Sequence, residues 1–291
     1  MKKLLHALYS LVPFKKPLLL FLKKMGTPPQ WLYRHLHFKG KFNVNISPGK
    51  SFQLIHYGFE IENELFWKGF QDGWEKVSLG LWVQLCKNSD IIFDIGANTG
   101  IYAMVANTIN GKAEVFAFEP VERVYDKLVK NCELNKFNTT CYQKAVSNFT
   151  GKAVIFDTEE VHVLSVTVNK NLNAPSTPVK EYEIETITLK QVIEDNKLPR
   201  IDLMKIDVET HEPEVLEGMG EYLKKFQPTM LIEILNDEVG QRISQLISGI
   251  DYLYFNIDED NGIRRVDTIT HSDYYNYLLC SKEIATELNL L

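Results

Sequence analysis

From position 90 onward, short apolar runs alternate with longer amphipathic stretches. Ile91-Ile92-Phe93-Asp94-Ile95 and Ala113 to Phe118 have strand length and are bounded by turn residues. Residues 99–110 read as a helix, and so do 120–135, with Val121, Val124, Leu128 and Leu134 along one side. Further strands are expected at Val154-Ile155-Phe156, Ser165 to Val168, Glu185 to Leu189, Ile201 to Ile206, Thr229 to Ile234, Tyr252 to Ile257 and Tyr277 to Cys280. Helices are expected after Ile206, ending near Leu223, and over 237–248. The early strands are apolar on both faces. This alternation predicts an α/β fold whose mostly parallel sheet is covered on both sides.

The chain ahead of this pattern is different. Residues 28–38 read as a short helix after Pro28-Pro29, and 41–57 alternate weakly around Pro48-Gly49, a hairpin signal. Residues 60–70 and 74–87 read as helices. The division expected is an N-terminal helical and hairpin extension over 1–89 and a main domain over 90–291.

A chain of 291 residues, 45% hydrophobic and 24% charged, can bury a sizeable core without disulfides, and its composition excludes disorder, collagen and coiled coil. Cys86, Cys132, Cys141 and Cys280 form no C-x-x-C pair, which excludes a zinc ribbon or a thioredoxin-like motif. Charge changes the picture more. Ten Lys and Arg precede the first acidic residue, Glu60, leaving 22 basic against 38 acidic residues behind it. An acidic body makes extended contact with a nucleic acid unfavourable. Within residues 1–25, leucine-rich runs (Leu4, Leu5, Leu8, Leu11 and Val12, then Leu18 to Leu22) are broken by Lys15-Lys16-Pro17, so no membrane span fits. A small-residue cleavage site is absent, which rejects a secretory signal. Two readings stay open: a pair of short helices packing on the body, or a basic amphipathic helix in peripheral contact with an anionic membrane. The location expected is cytoplasmic, with or without contact to the inner face of a membrane.

Asp94-Ile95-Gly96-Ala97-Asn98-Thr99-Gly100 lies where the first strand ends and a helix begins, the crevice where open α/β sheets bind ligands. A dinucleotide fingerprint anchored on Gly96 would need glycine at Asn98 and Ile101, and the Gly-Lys-Ser/Thr of a phosphate loop is absent. The spacing of Asp94, Gly96 and Gly100 instead resembles the first motif of class I S-adenosylmethionine-dependent methyltransferases. Glu119, followed by Pro120, lies 19 residues after Gly100 at the tip of the next strand, where an acid can accept hydrogen bonds from both ribose hydroxyls.

Further pieces make the resemblance more specific. The glycine loop, Phe118-Glu119-Pro120, Lys144-Ala145-Val146-Ser147, and the stretch from Asp202 through Lys205, Asp207, Glu209 and Glu212 to Leu216-Glu217-Gly218 are together similar to the FkbM methyltransferase family. The resemblance covers about 74–235. It implies a class I, Rossmann-like fold of seven strands with the last one antiparallel. It also implies S-adenosylmethionine as donor and methylation of a hydroxyl on a saccharide, glycolipid or related natural product. The cofactor positions it marks are Asp94, Gly96, Ala97, Asn98, Thr99, Gly100, Glu119, Pro120, Ala145, Val146 and Asp207. Trp74-Glu75 matches the family's aromatic–Glu pair before the first strand, which makes Glu75 a candidate contact to the cofactor's amino group. Two departures stand out: the family commonly has Glu-Gly after the Asp-x pair, whereas here Glu209 is followed by Thr210-His211, and Leu189-Lys190 stands where it often has Leu-Asp.

Asp207, Glu209, His211 and Glu212 crowd the end of the strand that contains Lys205. A sugar hydroxyl is a poor nucleophile and benefits from a general base. Asp207 and Glu212 rank above Glu209 and His211 for that role; Lys205, odd in an apolar strand, is expected to pair with Asp207 or another acid. Glu233 ends the Met230-Leu231-Ile232 strand and suits a substrate contact and a structural partner equally. Carboxylates at these strand ends could also hold Mg²⁺, whereas no His/Cys spacing suits zinc. Alternative readings are N- or C-methylation of a small molecule or protein, and a cofactor-binding module without catalysis.

Overall fold

The structure is a computed structural model, and it describes residues 15–157, 166–167 and 180–291. Readings that fall on residues 1–14, on Ser165 and on Val168 lie outside these. Two compact units are present, divided after Trp74; helix 76–86 therefore belongs to the second unit, ahead of the boundary expected at 89.

In the first unit, helix α1 (Lys15–Met25) and the short α2 (Gln30–Tyr33) precede a hairpin of β1 (Gly40–Ser47) and β2 (Lys50–His56). Its alternating pattern places Phe42, Val44 and Ile46 on one buried face with Phe52, Leu54 and His56. That face packs on helix α3 (Glu60–Trp67), where the Phe66 ring lies 5.6 Å from Phe42 and 4.8 Å from Phe38. The entry to α3 is fixed by Glu62, whose carboxylate accepts from the amides of Tyr57, Gly58 and Phe59. A carboxylate at this position satisfies amide groups that a helix start leaves without partners.

The second unit begins with α4 (Lys76–Cys86). Its central sheet contains β3 (Ile91–Ile95), β4 (Glu114–Phe118), β5 (Thr139–Tyr142), β10 (Leu203–Ile206), β11 (Thr229–Glu233), β12 (Leu253–Asp258), β13 (Gly262–Val266) and β14 (Asn276–Cys280). Their spatial order is β13-β12-β14-β11-β10-β3-β4-β5. The strands from β5 to β11 are parallel, and β14 runs antiparallel to both β11 and β12. The seven-stranded sheet expected, with a reversed last strand, is thus present, but its β5 lies where no strand was expected, and β13 adds an eighth at the edge. Helices α5 (Ile101–Ile109) and α6 (Glu122–Asn135) connect β3, β4 and β5. Aromatic side chains run across these strands: Phe93 lies 5.0 Å from Phe116, and Phe118 stacks on Tyr142 at 4.9 Å.

A second sheet is built from β6 (Ala145–Val146), β7 (Gly151–Asp157), β8 (Val166–Thr167) and β9 (Lys180–Ile187), in the order β6-β9-β7-β8. The strand expected over Glu185 to Leu189 ends at Ile187, because Thr188 caps a helix, α7 (Leu189–Asp195), by accepting from the Gln191 amide. The single helix expected up to Leu223 is two, α8 (Glu212–Glu217) and α9 (Glu221–Phe226), parted at Gly218–Gly220, where Gly220 takes a positive φ of 57°. Helix α10 (Asp237–Leu246) follows β11, and α11 (Lys282–Glu287) closes the chain.

Candidate active site

Chain order determines where a site can form. From β3 the sheet grows one way through β4 and β5, and the other way through β10 and β11. A crevice opens at the carboxyl ends of the strands where that order reverses. The parallel register sets Lys205 beside Asp94 and Ile206 beside Ile95, so the residues following β3 and β10 meet there.

The loop after β3 is held by its own backbone. The amides of Gly96 and Ala97 both donate to the Phe118 carbonyl, at 3.1 and 2.9 Å. Gly96 has φ 77°, and a Cβ there would stand 1.8 Å from the Asp207 carbonyl oxygen. Glycine is therefore required by the close approach of the β10 tip, a reason internal to the protein. Gly100 has φ 90°, and its absent Cβ leaves room for Leu128. Asn98 takes a left-handed φ of 51°, which Asn tolerates better than most residues. Thr99 is buried, and its carbonyl accepts from Asn131 at 2.9 Å.

Four acidic groups surround this loop. Glu119 accepts from the amides of Asn98 (3.1 Å) and Val121 (2.9 Å), one on each oxygen, and burial pushes its pKa up to about 7. Asp94, 1% exposed, accepts from the Ala103 amide at 2.9 Å and is likewise pushed up to about 7 by burial. Glu75 precedes α4 with φ 48° and accepts from the Tyr102 hydroxyl; burial raises it to about 7, against the opposing charge of Lys205. Asp207, at the tip of β10, has about a third of its side chain exposed and lies 3.1 Å from the Lys205 ammonium.

Lys205 is the cation of this cluster. It is 1% exposed, and its Nζ lies 5.2 Å over the Tyr102 ring. Burial works to lower its pKa, but the carboxylates of Asp207, Glu75 and Glu233 more than reverse that and hold the ammonium charged. The expected pairing of Lys205 with Asp207 is what the structure shows. Glu233, across the sheet, keeps a buried Oε2 without a hydrogen-bond partner. Burial first, and the Asp207 charge next, push its pKa up to about 10.

The other basic candidates are differently placed. Glu212 is fully buried; its Oε1 accepts from the Val208 amide at 3.1 Å, and burial pushes it up to about 8. It closes the turn in which Glu209 and Thr210 both take positive φ, at 55° and 78°. His211 has Nε2 3.0 Å from the Ser147 hydroxyl and Nδ1 3.5 Å from Glu214, and burial lowers its pKa below the ordinary histidine value. Ser147 itself is 1% exposed, so this Ser–His–Glu array ties the β6 end to α8 and offers no accessible nucleophile. Ala145 and Val146 form β6, with Val146 buried. Pro120 follows Glu119 ahead of α6.

Sequence reading missed Tyr102 and Asn276. Tyr102 sits on α5 and reaches both Glu75 and Lys205; Asn276 heads β14, favours the charged form of Glu75 and donates to the Ser78 hydroxyl at 3.3 Å. Neither carries a local signal, because each acquires its neighbours through strand order. Among the described residues, no group of three His, Cys, Asp or Glu side chains stands in metal-holding geometry, and the cation facing Asp207 is the ammonium of Lys205.

Residues 94–262 match the family described as "Methyltransferase FkbM domain". The hexuronic acid methyltransferase AglP of Haloferax volcanii is 27% identical over 195 residues, 66% of this chain and 77% of that protein. The methyltransferase sdnD of Sordaria araneosa is 26% identical over 160 residues, 46% of this chain and 62% of its own length. A solved structure of a methyltransferase FkbM from Methylobacillus flagellatus KT aligns with a TM-score of 0.44 and 14% identity, over 66% of this chain and 43% of that chain.

Proposed function

This chain belongs to the FkbM methyltransferase family, and we propose that it transfers the methyl group of S-adenosylmethionine to a hydroxyl on a saccharide, glycolipid or related natural product. The observation that carries this reading is the partly exposed carboxylate of Asp207 at the tip of β10, against the glycine turn and anchored by Lys205. A saccharide acceptor is supported by the likeness to AglP, a hexuronic acid methyltransferase.

The residues present fit the donor. Each oxygen of Glu119 accepts one backbone amide and keeps a further lone pair, so the carboxylate can still take two ribose hydroxyls. Glu75 offers a carboxylate to an amino group from a half-buried position braced by Tyr102. Asp94 has its Oδ2 committed to the Ala103 amide; in this reading it shapes the loop, as Gly96 and Gly100 do. In this reading Ala97, Asn98 and Thr99 of the loop, Pro120 after Glu119, and Ala145 and Val146 of β6 complete the cofactor positions.

When bound, the cofactor supplies an electrophilic methyl carbon on a sulfonium. The protein holds the acceptor oxygen in line and removes its proton. Asp207 is the base in this reading, because its carboxylate is both accessible and fixed. Glu212 is buried and holds the turn, and His211 Nε2 faces the Ser147 hydroxyl. Glu233, on the strand beside Asp207, has its pKa pushed up by burial and by the Asp207 charge, so in this reading it is a hydrogen-bond partner for the acceptor and not the base.

The test is methyl transfer from labelled S-adenosylmethionine to a panel of neutral and hexuronate-containing oligosaccharides, amines and peptides. Label on sugar hydroxyls is expected. Asp207→Asn should keep cofactor affinity within a few-fold and lower turnover by about 10²–10⁴. Label found only on nitrogen, or a fully active Asp207→Asn, would defeat the assignment.

A further inference from the structure

Helix α1 is amphipathic the wrong way round for a helix bathed in water. Its buried side holds Leu19, 0% exposed, and Lys23, whose ammonium donates to the Phe66 carbonyl and lies 5.0 Å over the Phe66 ring. Thr27, just beyond the helix, donates to the Trp67 carbonyl at 3.2 Å. The helix is therefore seated on α3, and its other side is a defined face. That outward face consists of Pro17, Leu18, Leu20, Phe21, Lys24 and Met25, all exposed. Phe21 is 61% and Met25 75% exposed, and Trp31, on α2, adds a ring that is 67% exposed. A lysine turned inward beneath leucine, phenylalanine and methionine turned outward is costly in water, where the ammonium gains hydration and the apolar groups gain nothing.

Charge identifies the medium that this face suits. From Lys15 to Phe59 the chain has eight Lys and Arg and no acidic residue. Lys24, Arg34, Lys39, Lys41 and Lys50 are exposed. Two copies of so basic a segment repel each other, which disfavours self-association. An anionic bilayer attracts it, and the bilayer interface accepts exposed Phe, Leu and Trp side chains. No described helix is long and apolar enough to cross a membrane, so the contact is peripheral.

We infer that the outward face of α1, with Trp31 beside it in the chain, docks the first unit on an anionic lipid surface. The inference is independent of the methyl-transfer reading and needs no enzymatic assay. The full chain is floated with vesicles of phosphatidylcholine and phosphatidylglycerol, and separately with vesicles of phosphatidylcholine alone. It should float with the anionic vesicles in low salt and be released as salt screens the attraction. Lys24→Gln should weaken binding about fivefold. The double variant Phe21→Ser/Met25→Ser should weaken it at least tenfold; both side chains are exposed, so its thermal melt should match the native chain. Bilayer-embedded brominated lipid should quench fluorescence in the native chain and less in Trp31→Phe. Failure of the native chain to float, equal flotation with both vesicle types, or unchanged flotation of the double variant would each overturn the inference. A concentration-dependent dimer abolished by the double variant would also overturn it, in favour of a second copy as the occupant.

Discussion

The tightest constraint in the site is the space above Gly96, and Gly96→Ala tests it. The added Cβ would lie 1.8 Å from the Asp207 carbonyl oxygen, 2.9 Å from its carbon and 3.3 Å from Val208 Cγ1. The first two are backbone atoms held by the β3–β10 ladder, where the Asp207 amide donates to Ile95 at 3.0 Å, so no rotamer change relieves the clash. The φ of 77° adds a left-handed penalty of about 1–2 kcal/mol for an L side chain. Overpacking a buried contact costs about 1–3 kcal/mol more. The expected loss is thus roughly 2–5 kcal/mol in urea unfolding, together with loss of S-adenosylhomocysteine binding in calorimetry, because the loop and the β10 tip must separate. Gly100→Ala supplies the contrast. Its Cβ would meet Leu128 Cδ1 at 2.5 Å, the far end of a side chain that can move. In a Leu128→Ala background, Gly100→Ala should cost less than in the native chain, by the clash but not by the φ penalty. No side-chain truncation should rescue Gly96→Ala. A Gly96→Ala protein within about 0.5 kcal/mol of native would show that the β3 and β10 tips are not so closely apposed, and would remove the basis of the site.

Three further outcomes follow from the charges. Asp94, Glu119 and Glu75 have folded pKa values raised to about 7, and Glu212 to about 8, above their unfolded values, so the folded state binds more protons in the window from about 4.5 to 8. These groups therefore favour folding most at the acid side of that window, and their contribution is lost as pH rises through 7–8. Glu119→Gln should raise the melting temperature more at pH 8 than at pH 6, and an equal gain at both would count against the buried carboxylate. S-adenosylhomocysteine affinity should fall as pH drops below 7, when Glu119 takes up a proton, and Glu119→Ala should weaken binding by about 1.5–3 kcal/mol at pH 8. Lys205→Met should destabilise by about 3–5 kcal/mol, since Asp207 and Glu75 lose their buried cation, and Asp207→Asn in that background should recover part of the loss. Purely additive losses in that double variant, read by urea unfolding, would refute the pairing.

Much of the site was legible because it is local. Asp94, Gly96 and Gly100 are spaced for a strand-to-helix turn, and Glu119 falls at the next strand tip, so topology needs only to be mostly parallel for them to meet. Lys205 also announced itself, since an ammonium in the run from Leu203 to Ile206 must find an acid. Tyr102 and Asn276 were not legible, because an ordinary helical tyrosine becomes a site neighbour only by meeting Glu75 and Lys205, and the asparagine at the head of β14 only when β14 inserts between β11 and β12. Of the two bases ranked highest in the sequence, Asp207 and Glu212, the structure buries Glu212 under the Val208 amide, and the lower-ranked His211 faces Ser147.

Hydrophobic period and turn chemistry, which are properties of neighbouring residues, determined the α/β alternation, the first-unit hairpin and the glycine loop. Strand order, the edge strand β13 and the separate β6–β9 sheet were decided only by tertiary structure, because Thr139 to Tyr142 and Gly262 to Val266 carry little apolar signal and are stabilised by the partners they pair with. Protonation was likewise decided there. A carboxyl group's ordinary pKa is written in its chemistry, but the burial that lifts Glu233 to about 10 and the crowding that keeps Lys205 charged come from residues far apart in the chain. Even the need for glycine at 96 has its cause 111 positions later, in the carbonyl oxygen of Asp207.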